Sequence, residues 1–102
     1  MTIADIVRLY MEKSVHWTSH VLERLRERRI DIDDVVSVIT NGEIIEQYPS
    51  DYPSPSCLVM GYTVAGEPLH VVCGSNGAKL WFITAYFPDP IGWTDDFKKR
   101  RN

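Results

Sequence analysis

The sequence predicts an α+β domain in which N-terminal helices pack on a four-stranded antiparallel sheet, and three observations predict it. Apolar residues recur at helical spacing in three successive segments up to Gly42. Beyond Gly42 they give way to short runs of β-branched and aromatic residues. Those runs are divided by breaks rich in proline and glycine, among them Asn76-Gly77, the strongest hairpin signal in the chain. Helices in succession followed by strands in succession give an α+β order rather than an alternating one. A chain of 102 residues supports one hydrophobic core, so residues 1–102 are expected to form a single domain.

Taken in order, Thr2 and Asp5 mark a helix start, and Ile3, Ile6, Val7 and Tyr10 give residues 2 to about 13 an apolar stripe. Val15, His16 and Trp17 read as a bridge. Thr18 or Ser19 caps a second helix that runs to about Arg29 and buries Val21, Leu22 and Leu25. Asp31 caps a third, in which Ile32, Val35, Val36 and Ile39 share a face and Asn41-Gly42 is read as a left-handed stop. The strands follow: Glu43 to Tyr48, then C-L-V-M-G-Y-T-V, P-L-H-V-V-C-G and K-L-W-F-I-T-A-Y-F. The segment from Pro49 to Ser56 is a loop, because its prolines cannot sustain a ladder. Pro88 and Pro90 end the sheet, and Thr94 is expected to cap a last helical turn.

Composition narrows the function. Charged residues at 25% and hydrophobic residues at 44% exclude a disordered or coiled-coil chain. A net charge of −3 excludes broad attraction to nucleic acid, so any such role is local, at R-L-R-E-R-R (Arg24 to Arg29) or K-K-R-R (Lys98 to Arg101). The first segment is interrupted by Asp5, Arg8, Glu12 and Lys13, unlike a signal peptide, and no run approaches the ~20 apolar residues of a membrane span; a cytoplasmic location is expected. Cys57 and Cys73 form no C-x-x-C and are expected to be small buried hydrophobes. Neither a cofactor motif nor a metal-ligand pattern is present, so no cofactor and no metal is expected.

Residues four apart on a helix lie nearly above one another, so His20, Arg24 and Arg28 form a polar ridge beside the buried stripe. An imidazole moves a proton near neutral pH and guanidinium groups hold an oxyanion, so the ridge carries the equipment to handle a phosphate. The same arginines, set among Glu23 and Glu27, also suit ordinary surface ion pairs. His70 lies within an apolar strand, while Thr84 and Tyr86 share one face of the last strand. With a tight turn at Asn76-Gly77, His70 pairs with Ile83 and lies on the face opposite Thr84 and Tyr86. A one-residue bulge reverses that.

Four ordered blocks resemble one family. H-V-L-E-R-L-R-E-R-R-I (His20 to Ile30), N-G-E-I-I-E (Asn41 to Glu46), G-E-P-L-H-V-V (Gly66 to Val72) and F-I-T-A-Y-F-P-D-P (Phe82 to Pro90), with Trp93, resemble the bacterial domain-of-unknown-function family 4258 over about residues 18–100. Residues 1–17 lie outside that resemblance as an N-terminal helical extension. The family looks related to the RelE, ParE and BrnT toxin-like fold and its metal-independent ribonucleases. The resemblance implies that His20, Arg24 and Arg28 stand at the family's H-x-x-x-R-x-x-x-R pattern, His70 at its strand histidine, and Thr84 and Tyr86 at its T-x-Y. Arg29 stands where a glycine is common before the isoleucine.

The resulting expectation is a toxin-like endoribonuclease of a toxin-antitoxin type system, acting on RNA without metal. His20 would be base or acid, His70 or Tyr86 its counterpart, Arg24 and Arg28 the charge-stabilising pair, and Thr84 the group that positions the phosphate. The resemblance also implies a small zinc-finger, antitoxin-like protein as partner. The alternative from another class is a non-catalytic protein-binding module of the same fold, which the acidic pI near 5.5 and the aromatic last strand favour.

Overall fold

The computed structural model describes residues 1–101. Three helices come first: α1 (Ile3–Met11), α2 (Ser19–Glu27) and α3 (Ile32–Asn41). Each begins at a residue with a short polar side chain. Thr2 Oγ1 accepts from the Asp5 N–H at 3.1 Å and Thr18 Oγ1 from the Val21 N–H at 3.0 Å, each satisfying a donor that has no partner within its helix. At the head of α3 the Asp34 carboxylate returns to the Asp31 N–H at 3.0 Å and also accepts from Val64 N–H at 3.0 Å, which fastens the helix to the sheet.

The sheet has five strands, not four, and is mixed. β1 (Val15–His16), β2 (Glu43–Tyr48), β3 (Ser56–Tyr62), β4 (Pro68–Ser75) and β5 (Leu80–Tyr86) lie in the order β1-β5-β4-β3-β2. The last four form the expected antiparallel meander, whereas β1 runs parallel to β5, pairing Val15 with Leu80 and His16 with Trp81. The segment read as a bridge is therefore a strand, held by the Leu80 N–H donating to Ser14 O at 2.8 Å. Two residues are too few to display an alternation.

The helices cover one face. Ile6, Leu9, Val21, Leu25, Val35, Val38 and Ile39 bury against Val59, Leu69, Val71, Cys73, Phe82 and Ala85 of the sheet. Cys57 and Cys73 face each other in this core as free thiols, with sulfurs 3.9 Å apart. No helix among the described residues is long and apolar enough to cross a membrane.

Two terminators differ from expectation. Gly42 is extended (φ −92°, ψ −166°) rather than left-handed. A side chain there would collide with the carbonyl oxygens of Met60 and Val38, so close approach of α3 to β3 is what requires glycine. The left-handed stop belongs instead to Arg29 (φ 57°), where the Ile30 N–H donates to Leu25 O at 2.9 Å. Arg29 thus carries a backbone conformation that usually favours glycine.

Residues 88–101 do not form the expected helical turn. They fold back over the second face of the sheet as a strap, with a bridge between Trp93 and Arg100. Thr94 does not cap a helix: its N–H donates to Lys99 O at 2.8 Å, and its hydroxyl donates to Asp96 at 2.7 Å while accepting from Lys99 N–H at 3.2 Å. These bonds close a tight loop, at whose tip Phe97 takes φ 59°.

Candidate functional site

The β4–β5 register decides which polar groups can meet. The turn is displaced by one residue from the expected one: Asn76 and Lys79 flank it, Asn76 Oδ1 accepts from Ala78 and Lys79 N–H, and Gly77 has φ 89°. Ser75 pairs with Leu80, Gly74 with Trp81 and Cys73 with Phe82, but the next pairs are Val72 with Thr84 and His70 with Tyr86. Ile83 is the extra residue of a β-bulge. It puts His70, Thr84 and Tyr86 on one face, the arrangement that a regular two-residue hairpin would have forbidden. That face lies away from the helices, since Val71 and Ala85 between them belong to the core.

The helix ridge reaches this face around the open edge of β5. β1 covers only Leu80 and Trp81, so the edge beyond Phe82 is unpaired among the described residues. Arg28, half-buried at the end of α2, occupies it: Nη1 donates to Thr84 Oγ1 at 3.0 Å and to Ala85 O at 2.8 Å. Helical side chains lean toward the N-terminus, so this guanidinium comes back along the ridge toward Arg24. Arg24 and His20 are exposed one and two turns earlier. Arg24 makes a 4.0 Å contact with Glu27 on its own helix, and no hydrogen bond or ion pair among the described residues joins either residue to the sheet. On the other flank of α2 a hollow of about 810 Å³ is lined by Leu22, Arg26, Arg29 and Ile32, away from the ridge.

His70 is fully buried. Its Nε2 is 2.8 Å from Phe97 O and its Nδ1 is 3.3 Å from the Tyr86 hydroxyl. A carbonyl can only accept, so Nε2 carries the proton and Nδ1 accepts from Tyr86. Burial pushes the imidazole below its ordinary pKa, more than the Phe97 carbonyl and Glu46 restore. Burial likewise pushes the half-buried Tyr86 phenol up. Both groups are neutral at pH 7. Trp93 meets the His70 ring edge-on at 4.5 Å, and Arg100 lies 4.7 Å over the Trp93 ring. Arg100 in turn holds Glu46 by two bonds, of 3.0 and 3.1 Å, and Tyr48 donates to the same carboxylate. The Arg100 guanidinium keeps the Glu46 carboxyl below the usual range, against the opposing effect of burial.

Of the residues singled out in the sequence, Arg28 and Thr84 touch, His70 and Tyr86 touch, and His20 and Arg24 stand exposed on the ridge. The network of Glu46, Tyr48, Trp93 and Arg100 escaped notice in those roles. Its only sequence signal was that Glu46 and Tyr48 sit two apart in a strand and share a face. The basic tail is largely neutralised, since Lys98 pairs with Glu43 at 2.8 Å, Arg100 with Glu46 and Arg101 with Asp95 at 2.8 Å. Among the described residues no group of three or more His, Cys, Asp or Glu side chains is placed to hold a metal ion.

Compared with curated proteins and with solved structures, the chain finds no match. Residues 17–87 match the model of a family described as a domain of unknown function (DUF4258). The matched span runs from the residue before the α2 cap to the end of β5, and so holds the ridge, His70, Thr84 and Tyr86 together while leaving out α1 and the strap. With well over half of its length inside that span, the chain belongs to this family.

Proposed function

We propose that this domain is a metal-independent endoribonuclease of the RelE, ParE and BrnT toxin-like kind, acting in the cytoplasm and restrained by a small zinc-finger, antitoxin-like partner. The observation that carries the reading is the pair of bonds from Arg28 to Thr84 and Ala85, which joins the His20–Arg24–Arg28 ridge to the hydroxyl-bearing end of β5. An exposed imidazole, two guanidinium groups and a hydroxyl then border one edge of the sheet, a set suited to a phosphodiester.

In this reading His20 takes the proton of a ribose 2′-hydroxyl as its oxygen attacks the adjacent phosphorus. Arg24 and Arg28 balance the charge that builds on the non-bridging oxygens, and Thr84 orients the phosphate. The bond to the 5′-oxygen breaks, and that alkoxide, a far stronger base than a phenolate, takes the proton of Tyr86; His20 then releases its proton to water and Tyr86 regains one from it, which restores both groups. The products are a 2′,3′-cyclic phosphate and a 5′-hydroxyl. His70 is a positioning residue, buried behind Tyr86 and fixing its hydroxyl.

The test is cleavage of RNA by the purified chain in the presence of a chelator. General acid-base catalysis contributes about 10²- to 10⁴-fold, so His20→Ala should slow cleavage by about that factor with an unchanged melting temperature. Absence of cleavage by the wild type, or equal cleavage by the variant, refutes the reading.

A second reading, a non-catalytic protein-binding module, is favoured by one specific observation: the strap seals His70, leaving His20 as the one exposed imidazole on the ridge. It predicts a tight complex with the partner and no loss of RNA on expression. Growth arrest relieved by the partner would favour the nuclease instead.

A further inference from the structure

We propose that the strip of the second sheet face left uncovered by the strap, from Trp81 past Thr84 to Tyr86, is a platform on which the bases of single-stranded RNA stack. The proposal rests on the ribonuclease reading and names the part of that site that holds the substrate's bases.

The strap covers only part of this face. Leu58, Met60 and His70 are buried beneath it, while Val72, Trp81, Thr84 and Tyr86 remain partly exposed. The Ile83 bulge is again the cause of the alignment: because Trp81 pairs with Gly74 and Thr84 with Val72, the indole, the hydroxyl and the Tyr86 ring follow one another along one side of β5. Same-side neighbours on a strand are about 7 Å apart. That leaves room for a backbone group at Thr84 with an aromatic ring on either side.

Trp81 is built into this position. A Cβ on Gly74 would lie 2.7 Å from the indole Nε1 and 3.0 Å from Cε2, so the ring rests directly on the β4 backbone and glycine is what admits it. The side of the indole toward β4 is thereby covered, while the residue stays partly exposed. Its N–H meets no acceptor among the described residues. His16, exposed on β1, sits beside it in register.

The charge next to this strip fits a phosphodiester. Arg28 stands on Thr84 at the edge of the strip, and Arg24 follows one turn earlier on the same ridge, 4.0 Å from Glu27, in a chain whose net charge is −3. Aromatic rings on a sheet face with arginines along one edge are the equipment for splayed bases on a charged backbone, where stacking supplies affinity with little demand on sequence.

The experiment measures binding of two labelled hexamers by the full chain: a 2′-O-methyl oligoribonucleotide, which lacks the attacking hydroxyl, and an abasic phosphodiester of equal charge. The wild type should prefer the base-bearing probe by roughly ten-fold or more, the range expected from stacking of one or two bases. Trp81→Ala should lose that preference and leave abasic binding unchanged. Trp81→Phe should keep most of it, and Trp81→Leu, which retains an apolar cover over Gly74, should behave like the alanine variant and guard against misfolding. Equal wild-type affinity for both probes, or an undiminished preference in Trp81→Leu, overturns the platform. Base-dependent binding without RNA cleavage keeps the platform and removes the nuclease; cleavage with equal binding of the probes does the reverse; neither binding nor cleavage removes both.

Discussion

Arg28 and Thr84, 56 positions apart in sequence, meet through one guanidinium nitrogen that also holds the carbonyl of Ala85. This is the point at which the end of α2 is fastened to the outer edge of β5. Hydrogen bonds to a charged donor contribute about 1.5–3 kcal/mol when partly shielded, and Arg28 is half-buried. Arg28→Ala should therefore destabilise the domain by about 2 kcal/mol, lowering the melting temperature by roughly 8–16 °C for a domain of this size. Arg28→Lys should recover less than half, because a single ammonium on a flexible stem does not reproduce the planar donor. Thermal unfolding of the two variants and Thr84→Ala decides it, and a wild-type melting point for Arg28→Ala would show that the fastening carries no weight.

His70 gives the stability a pH dependence whose sign can be worked out. Burial lowers its folded pKa, so the unfolded chain binds the extra proton first as pH falls. The stability from the neutral, buried imidazole is complete above the ordinary histidine pKa of about 6.5 and is lost as pH falls through the depressed folded value. Protonation also makes Nδ1 a donor, so the Tyr86 hydroxyl must turn to accept from it, and Glu46, although it outweighs Arg100, offsets the cost of burial only in part. Melting temperature should fall as pH drops below about 6.5, and the fall should be shallower in His70→Gln, which titrates nothing there. Parallel curves for the two proteins would assign the slope to other groups.

The helices were legible because their caps and stripes lie within a few residues: Thr2, Thr18 and Asp31 all stand where polarity and spacing place them. What could not be read was decided across the sheet. The identity of the face that His70 occupies turns on a single bulged residue, Ile83, which carries no mark in a run of β-branched and aromatic neighbours. β1 has two residues and no period, and the strap is held by tertiary pairs such as Glu46 with Arg100 rather than by local propensity. Arg29 shows the same limit from the other direction. Its left-handed backbone is set by the way α2 meets Ile30, and the side chain gives no warning of it.

The strap is held by two kinds of contact, and their magnitudes say which dominates. The Arg100–Glu46 pair has good geometry, but the arginine side chain is 61% exposed, and pairs of that kind contribute about 0.2–1 kcal/mol. Trp93 is 6% exposed, packed on His70, and lies on the face that also buries Leu58 and Met60. Removing a buried tryptophan side chain costs about 3–5 kcal/mol. Trp93→Ala should thus release the strap, exposing His70 and lowering the melting temperature by more than 10 °C, a shift of about 4–8 °C accompanying each kcal/mol. Arg100→Ala should leave the strap in place, with a small loss that high salt abolishes. Amide exchange at Phe97 and Lys99, read beside the melting curves, separates the two outcomes. If Arg100→Ala opens the strap as fully as Trp93→Ala, the ion pair rather than the indole is what closes this face of the sheet.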